Sequence, residues 1–91
     1  MVDCKWNDWN IDHIAEHGVS PSEAEFVIEN ARSPFPQYVG GGRHLVRGQT
    51  SGGYYLQVIF TYDKYDGRIY VIHARPLTGQ EKRQFRRRSQ T

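Results

Sequence analysis

Residues 54–62 have the sequence Tyr-Tyr-Leu-Gln-Val-Ile-Phe-Thr-Tyr, and residues 68–75 have the sequence Arg-Ile-Tyr-Val-Ile-His-Ala-Arg. Both runs are rich in β-branched and aromatic residues, which favour strands. The short segment between them, Asp63 to Gly67, is typical of a turn. Because parallel neighbours need a crossover of about a dozen residues or more, this spacing predicts an antiparallel pair.

Two further strands are predicted before this pair. Gln37 to Val39 and Arg43 to Thr50 flank the turn Gly40-Gly41-Gly42, and Ser51-Gly52-Gly53 leads into the run at residues 54–62. Connections of this length and composition join antiparallel strands. We therefore expect four short strands in an antiparallel meander.

Two helices are predicted at the N-terminal end of the chain. Asp8 to His17 has a short apolar pattern close to the helical period, and Gly18 follows it as a helix stop. The sequence Ser20-Pro21-Ser22-Glu23 has the features of a capped helix start, with proline at the first helical position. Ser33-Pro34-Phe35-Pro36 ends this second helix.

The last helix has little apolar surface. Thr78 and Glu81 repeat the capping pattern, and the helix continues to about Arg88. Phe85 is its one large apolar residue. Helices gain most of their stability from packing, so we expect this one to lie across the sheet edge, anchored by Phe85 and Leu77, with its arginines available.

The predicted fold class is α+β, with two N-terminal helices, a four-stranded antiparallel sheet and a C-terminal helix in one domain over residues 1–91. The chain has 91 residues, of which 37% are hydrophobic and 24% charged, and this composition excludes a disordered, collagen-like or coiled-coil protein. No apolar run approaches the roughly 20 residues of a membrane helix, and the N-terminus lacks a secretory signal. We expect a cytoplasmic protein that does not contact membranes.

Charge is unevenly distributed along the chain. The net charge is −6 over residues 1–31, +2 over residues 32–67 and +6 over residues 68–91. This polarity indicates that one face of the protein meets an anion, and nucleic acid is the first candidate. The alternative is a basic helix that is simply solvated.

Several short sequence segments follow one another along the chain. They are Trp9-Asn10-Ile11-Asp12-His13-Ile14-Ala15-Glu16-His17-Gly18-Val19-Ser20, Arg47-Gly48-Gln49-Thr50, Gly52-Gly53-Tyr54-Tyr55-Leu56 and Tyr70-Val71-Ile72-His73-Ala74-Arg75, followed by Thr78, Glu81 and Phe85-Arg86-Arg87. In this order they resemble the BrnT family of bacterial toxins, within the RelE/ParE superfamily. The resemblance spans nearly the whole chain.

The chain departs from the family pattern at three places. His73 stands where the family usually has serine or threonine, and Phe85 stands where many members have tyrosine. The turn before Tyr54 lacks an arginine that is often present. If the tyrosine hydroxyl takes part in the chemistry of relatives, this protein works without it.

The resemblance implies helices packed on a four-stranded antiparallel sheet and activity as a metal-independent ribonuclease that halts translation. It also implies neutralisation by an antitoxin of ribbon-helix-helix type, with operator DNA bound only through the complex. No cofactor is implied. The substrate would be RNA, either free or bound to the ribosome.

The residues suit this chemistry. Alternation along the last strand places Ile69, Val71, His73 and Arg75 on one face, so His73 and Arg75 are neighbours. We expect Arg75 to clamp phosphate and His73 to act as general acid or base. The residues expected to bind RNA are Arg43, Arg47, Arg83, Arg86 and Arg87.

Other interpretations stay open for these residues. His73 has the alternative role of a hydrogen-bonded structural residue, and Arg43 and Arg47 that of charges protecting a strand edge. The register that would bring Arg43 or Arg47 to the face of Arg75 is not fixed by the sequence. The alternative function is a non-catalytic ParE-like toxin, or a nucleic-acid-binding module of the same fold.

Two smaller features also bear on function. His13 and His17 are four apart on the first helix, but no third ligand is evident, so we predict no metal site. Tyr55 and Tyr65 are expected to be exposed and available to stack on bases. Cys4 is expected to be a free thiol near a frayed terminus.

Overall fold

The first helix is fixed by a pair of asparagines. The computed structural model describes residues 2–89, and its first helix, α1, spans Asp8–Ala15. Asn7 and Asn10 exchange side-chain-to-backbone hydrogen bonds at the N-terminus of α1, and Asn10, fully buried, also donates to the Val71 carbonyl. The helix ends two residues before the predicted His17, and Gly18 follows in a left-handed conformation at φ 74°.

The second helix begins as the sequence predicts. α2 spans Pro21–Glu29, with Ser20 as N-cap and a reciprocal hydrogen bond between the Ser20 backbone and the Glu23 carboxylate. Ala24, Val27 and Ile28 are buried on one stripe of the helix. The helix ends four residues before Ser33, earlier than expected.

The strands form one antiparallel meander. β1 (Gln37–Gly40), β2 (Arg43–Gln49), β3 (Tyr55–Tyr62) and β4 (Ile69–Pro76) pair in chain order. The third helix, α3, follows at Gly79–Ser89. The predicted α+β class and element order are confirmed. Met1, Gln90 and Thr91, which the predicted domain includes, lie outside the described residues.

The core lies between α1, α2 and one face of the sheet. Val46, Val58 and Val71 are fully buried, and Phe60 is 1% exposed. Gly48 lies beneath α2, where an added Cβ would be 3.2 Å from a Val27 methyl carbon. Glycine at residue 48 therefore lets β2 approach the helix closely.

A β-bulge in β4 changes which residues of this strand face the core, compared with the prediction. The pairing shifts between Ile59, opposite His73, and Phe60, opposite Val71, so Ile72 is an extra residue in β4. Ala74 consequently joins Val71 in the core, whereas simple alternation had assigned them to opposite faces. The prediction that Val71 shares a face with His73 and Arg75 is wrong because of this inserted residue.

α3 begins over the sheet, and farther along the helix Phe85 packs against Phe35 in the loop beside the β2 edge. Glu81, in the first turn, reaches Arg47 on β2 and Arg75 on β4, so the start of the helix spans the strands between them. These residues alternate with the buried residues Val46 and Ala74, which puts α3 on the opposite face from α1 and α2. The predicted anchors hold, since Phe85 packs partly buried against the core and Leu77 is buried.

The N-terminal segment is ordered against the edge of the sheet. Cys4 forms a parallel bridge with Ile69 and is buried, so it is not at a frayed terminus. Burial raises the pKa of its thiol to about 11, and the nearby carboxylates Glu25, Asp3 and Glu29 add to this effect. No helix among residues 2–89 combines the length and apolar character that crossing a bilayer requires.

Candidate functional site

Strand register brings two of the predicted arginines to one face. Arg47 on β2 lies opposite Gln57 on β3, and Gln57 lies opposite Arg75 on β4. The Arg47 Nε donates to the Gln57 Oε1 over 3.1 Å. The three side chains therefore form one cross-strand row, which answers the question of register that the sequence left open for Arg47.

Glu81 joins the two ends of this row. Its carboxylate accepts from Nη1 and Nη2 of Arg75 over 2.8 and 2.9 Å, and from Nη2 of Arg47 over 3.2 Å. The backbone N–H of Thr78 also donates to it over 2.8 Å. The hydrogen bonds from Arg75 and then from Thr78 lower the pKa of Glu81 to about 2. Glu81 is therefore a fixed anion and a poor proton acceptor at neutral pH.

Arg75 keeps part of its binding capacity in this arrangement. A guanidinium has five N–H donors. In Arg75, two of them bind Glu81 and a third binds the Pro76 carbonyl, all at 3.1 Å or less. The carboxylate raises the pKa of Arg75, which stays charged. The remaining donors of a guanidinium held in one orientation are suited to bind an oxyanion.

His73 lies at the outer edge of the sheet. It is two residues from Arg75 in unbroken pairing with β3, which is the backbone register that the predicted shared face requires. Their side chains turn to different helices, because the His73 ring contacts α1 whereas Arg75 contacts α3. Bulges commonly redirect side chains in this way.

The surroundings of His73 keep its imidazole neutral. Burial lowers its pKa, and the charges of His17, His13 and Arg75 lower it further. Its Nδ1 atom is buried and has no hydrogen-bond partner among residues 2–89. A neutral histidine of this kind can accept a proton at pH 7.

The sequence analysis did not foresee that three histidines meet. The ring centroid of His73 is 5.9 Å from that of His13 and 5.2 Å from that of His17, because α1 packs on β4. Within the described part of the chain, no three His, Cys, Asp or Glu side chains are arranged as metal ligands. The His13 ring also stacks on Trp9, which is 61% exposed.

Arg43 lies apart from the cluster. It is at the start of β2, where its Nε donates to the Gly40 carbonyl in the β1–β2 turn. Four residues of strand, about 13 Å, separate it from Arg47. Arg43 is exposed, so its predicted role in RNA binding would be played at a distance from Arg75.

The predicted RNA-binding arginines of α3 are exposed beside the row. Arg86 donates to the Tyr55 hydroxyl over 3.3 Å, and its guanidinium carbon is 5.1 Å from the centroid of the Tyr55 ring. Tyr55 is half-buried under these side chains, so the expectation of an exposed Tyr55 is wrong, whereas Tyr65 is 94% exposed. The exposed arginines are Arg83, Arg86 and Arg87.

Sequence reasoning missed Glu81 and Gln57 as parts of the site. Glu81 was identified as a capping residue, and it is one, since its backbone N–H donates to the Thr78 hydroxyl over 3.2 Å and its carboxylate accepts from the Thr78 N–H. Its second role depends on Arg47, 34 residues away in the chain, and no local pattern reports such a contact. Gln57 looks in the sequence like an ordinary polar strand residue, yet it is only 6% exposed.

Comparisons of the chain with protein-family models, with curated proteins and with solved structures gave no match. The resemblance to the BrnT family stays a prediction from the sequence.

Proposed function

We propose that this protein is a ribonuclease toxin of a type II toxin–antitoxin system, which cleaves RNA without a metal and so inhibits translation. The observation that carries the proposal is the cluster in which Glu81 fixes the guanidinium groups of Arg75 and Arg47, with His73 two residues from Arg75 on β4. The exposed arginines of α3 beside it supply attraction for the RNA backbone.

The chemistry follows from the roles these groups can play. His73 takes the proton of a ribose 2′-hydroxyl, and the 2′-oxygen attacks the adjacent phosphorus. Arg75 binds the phosphate oxygens with its remaining donors and stabilises the charge that builds on them. The bond from phosphorus to the 5′-oxygen breaks, water supplies a proton to that oxygen, and a 2′,3′-cyclic phosphate is left. His73 gives the proton it took to the hydroxide that remains, which restores water and the neutral imidazole. Glu81 is a positioning residue in this scheme.

The proposed partners follow from the resemblance and from the distribution of charge. RNA, free or on the ribosome, is the substrate, and an antitoxin of ribbon-helix-helix type neutralises the toxin in the cytoplasm. Operator DNA is bound through that antitoxin. The acidic helices α1 and α2 offer one surface for a basic partner, and the basic face of α3 offers another for an acidic one.

The first experiment is induced expression in a bacterium that lacks the antitoxin gene, with growth and total RNA followed together. We expect the wild type to stop growth and to fragment RNA, and Arg75→Ala to do neither. Lys64→Ala, which removes an exposed cation in the β3–β4 turn, is the control and should behave as the wild type. Unchanged cleavage by a folded Arg75→Ala protein would remove Arg75 from the mechanism.

One observation favours a second candidate, a binding protein of the same fold without catalysis. The Glu81 carboxylate occupies two donors of Arg75, so it competes with a phosphate for the guanidinium. In the expression experiment, growth arrest with intact RNA would support this candidate. In a binding protein without catalysis, affinity for the target should follow the total basic charge of the protein. In an enzyme, the loss of one catalytic side chain should abolish cleavage.

A further inference from the structure

A groove lies between the C-terminal end of α2, the loop that follows it, the edge of β2 and α3. Its volume is about 720 Å³, within the range of about 300–1,000 Å³ that small-ligand sites usually have. Sequence analysis did not identify this site, because its walls come from four separate segments of the chain.

The groove has aromatic walls. Phe26 of α2 and Phe35 of the loop face it together with Tyr55 and Phe85. The Phe85 ring centroid is 6.0 Å from that of Tyr55 and 6.3 Å from that of Phe35, so the three rings are in contact. Phe35 is 8% exposed and supports Phe85 from below, whereas Phe26, Tyr55 and Phe85 are half-buried rings that offer flat apolar surface to a ligand.

The charges of the groove all have one sign. Among the described residues that line it, the charged side chains are Arg32, Arg47 and Arg86, and no carboxylate joins them. Arg32 is exposed in the loop after α2. Such a site attracts an anion and disfavours a ligand without charge.

From this combination we propose that the groove binds one nucleotide of a single-stranded RNA, with its base against the aromatic side chains and its phosphate at the arginines. Stacking on aromatic rings together with a basic surface is the general mode of single-strand binding. The inference rests on the proposed function for its substrate and adds to it a specific subsite.

Arg47 connects this subsite to the cluster at Arg75. It lines the groove and also donates to Glu81, which holds Arg75. Arg47 and Arg75 are two strands apart, a distance of about 10 Å. When one base of the RNA occupies the groove, a neighbouring phosphate of the same RNA strand therefore lies toward Arg75. The subsite thus determines which phosphodiester bond is placed for cleavage.

The test is a titration of the purified protein followed by NMR of its backbone amides. The probe is adenosine 5′-monophosphate, and its two parts, adenosine and ribose 5-phosphate, are titrated separately. We expect saturable shifts at Gly48 and Gln49, which line the groove. Each part should bind at least about tenfold more weakly than the whole, because stacking and charge both contribute.

Two variants separate the contributions. Arg32→Ala should weaken binding of the nucleotide about tenfold, because it removes a charge-assisted contact. Phe26→Leu keeps apolar volume but removes a flat ring, and it should reduce the preference for the nucleotide over ribose 5-phosphate by about fivefold or more. Lys64→Ala is the control and should leave both affinities within twofold of the wild type.

The outcomes distinguish this inference from the proposed function when RNA cleavage is measured on the same preparations. Cleavage without nucleotide shifts in the groove, or equal binding of ribose 5-phosphate and the nucleotide, would overturn the inference and leave the ribonuclease proposal intact. Nucleotide binding in the groove without RNA cleavage would support the inference and contradict the ribonuclease proposal.

Discussion

Arg75 and Glu81 form an ion pair that fixes the guanidinium group on which the proposed activity depends. The pair is short and bidentate, and the exposed fractions of the two side chains are 29% and 17%. Exposed pairs contribute little, but a charged group with several hydrogen bonds contributes more. The fixed position of Arg75 is therefore the property that distinguishes it from the exposed arginines of α3.

Glu81→Gln tests the positioning role. We expect the free energy of unfolding to fall by about 1 kcal/mol in urea titrations, because Arg75 and Arg47 lose their charged acceptor. RNA should bind as tightly as before or more tightly, since a competing carboxylate is gone, while kcat falls because the guanidinium groups are no longer fixed.

Glu16→Gln is the matched control, because the Glu16 side chain is 70% exposed and its contact with the His13 Nδ1 atom is long, at 4.0 Å. Its stability and kcat should equal those of the wild type. A Glu81→Gln protein with unchanged kcat would show that the carboxylate has no positioning role.

His73 makes stability depend on pH. Its pKa in the folded protein is lowered by burial and by the charges of His17, His13 and Arg75, so below about pH 6.5 the unfolded chain binds more protons. The free energy of unfolding is therefore highest above about pH 6.5, and it falls as the pH drops toward the pKa that His73 has in the folded protein. Denaturant unfolding between pH 7.5 and pH 5 should show this fall, and His73→Phe should reduce it.

His44→Phe is the control for this measurement. His44 is a half-buried histidine on β2, where it stacks on Phe60, and β3 separates its strand from β4. This variant should keep the pH dependence of the wild type. Equal pH dependence of His73→Phe and the wild type would contradict the assignment to His73.

At the scale of elements, prediction succeeded where the determinants are local. The capping boxes of α2 and α3 each depend on two residues three apart, Ser20 with Glu23 and Thr78 with Glu81, and both are formed. The strand order followed from short turns. These features depend on neighbouring residues, which a sequence displays directly.

Prediction failed where the determinants are distant. The bulge at Ile72 has no local mark in the sequence, yet it decides that Ala74 enters the core. The position of α3 depends on contacts of Glu81 with two strands. The meeting of His73 with His13 and His17 depends on how α1 packs on β4. The site residues could be proposed individually, but their arrangement required tertiary structure.

The cap of α2 gives a test at this scale. Ser20→Ala removes the side-chain acceptor for the Glu23 N–H, and we expect a loss of about 1 kcal/mol, or about 4–8 °C in Tm by circular dichroism. Ser22→Ala removes an exposed hydroxyl two residues later, in the first turn of α2, and should change Tm far less. Equal Tm values for the two variants would contradict the capping assignment.

At the scale of the whole molecule, the sheet separates two kinds of surface. The acidic helices α1 and α2 cover one face, and the basic helix α3 lies over the other. The charge difference along the sequence is thus converted into a difference between faces. A polyanion is attracted to the α3 face and repelled from the opposite one.

Salt dependence of RNA binding tests this separation. Each phosphate contact to a single strand contributes about 0.7 to the slope of log K against log salt concentration. Replacing Arg83, Arg86 and Arg87 by alanine should therefore reduce the magnitude of that slope by about 2 in fluorescence anisotropy titrations. The Lys64→Ala control should keep the slope, and an unchanged slope in the triple variant would place the RNA elsewhere.

The most direct measurement is a map of RNA cleavage by the purified protein, on free RNA and on mRNA held by translating ribosomes. We predict that the wild type cuts at least one of these substrates and leaves a 2′,3′-cyclic phosphate or its hydrolysis product. His73→Asn should cut about a hundredfold or more slowly. Arg75→Lys, which keeps the charge but loses the guanidinium geometry, should be similarly impaired. Intact RNA with folded wild-type protein on both substrates, or undiminished cleavage by both variants, would contradict the proposed activity.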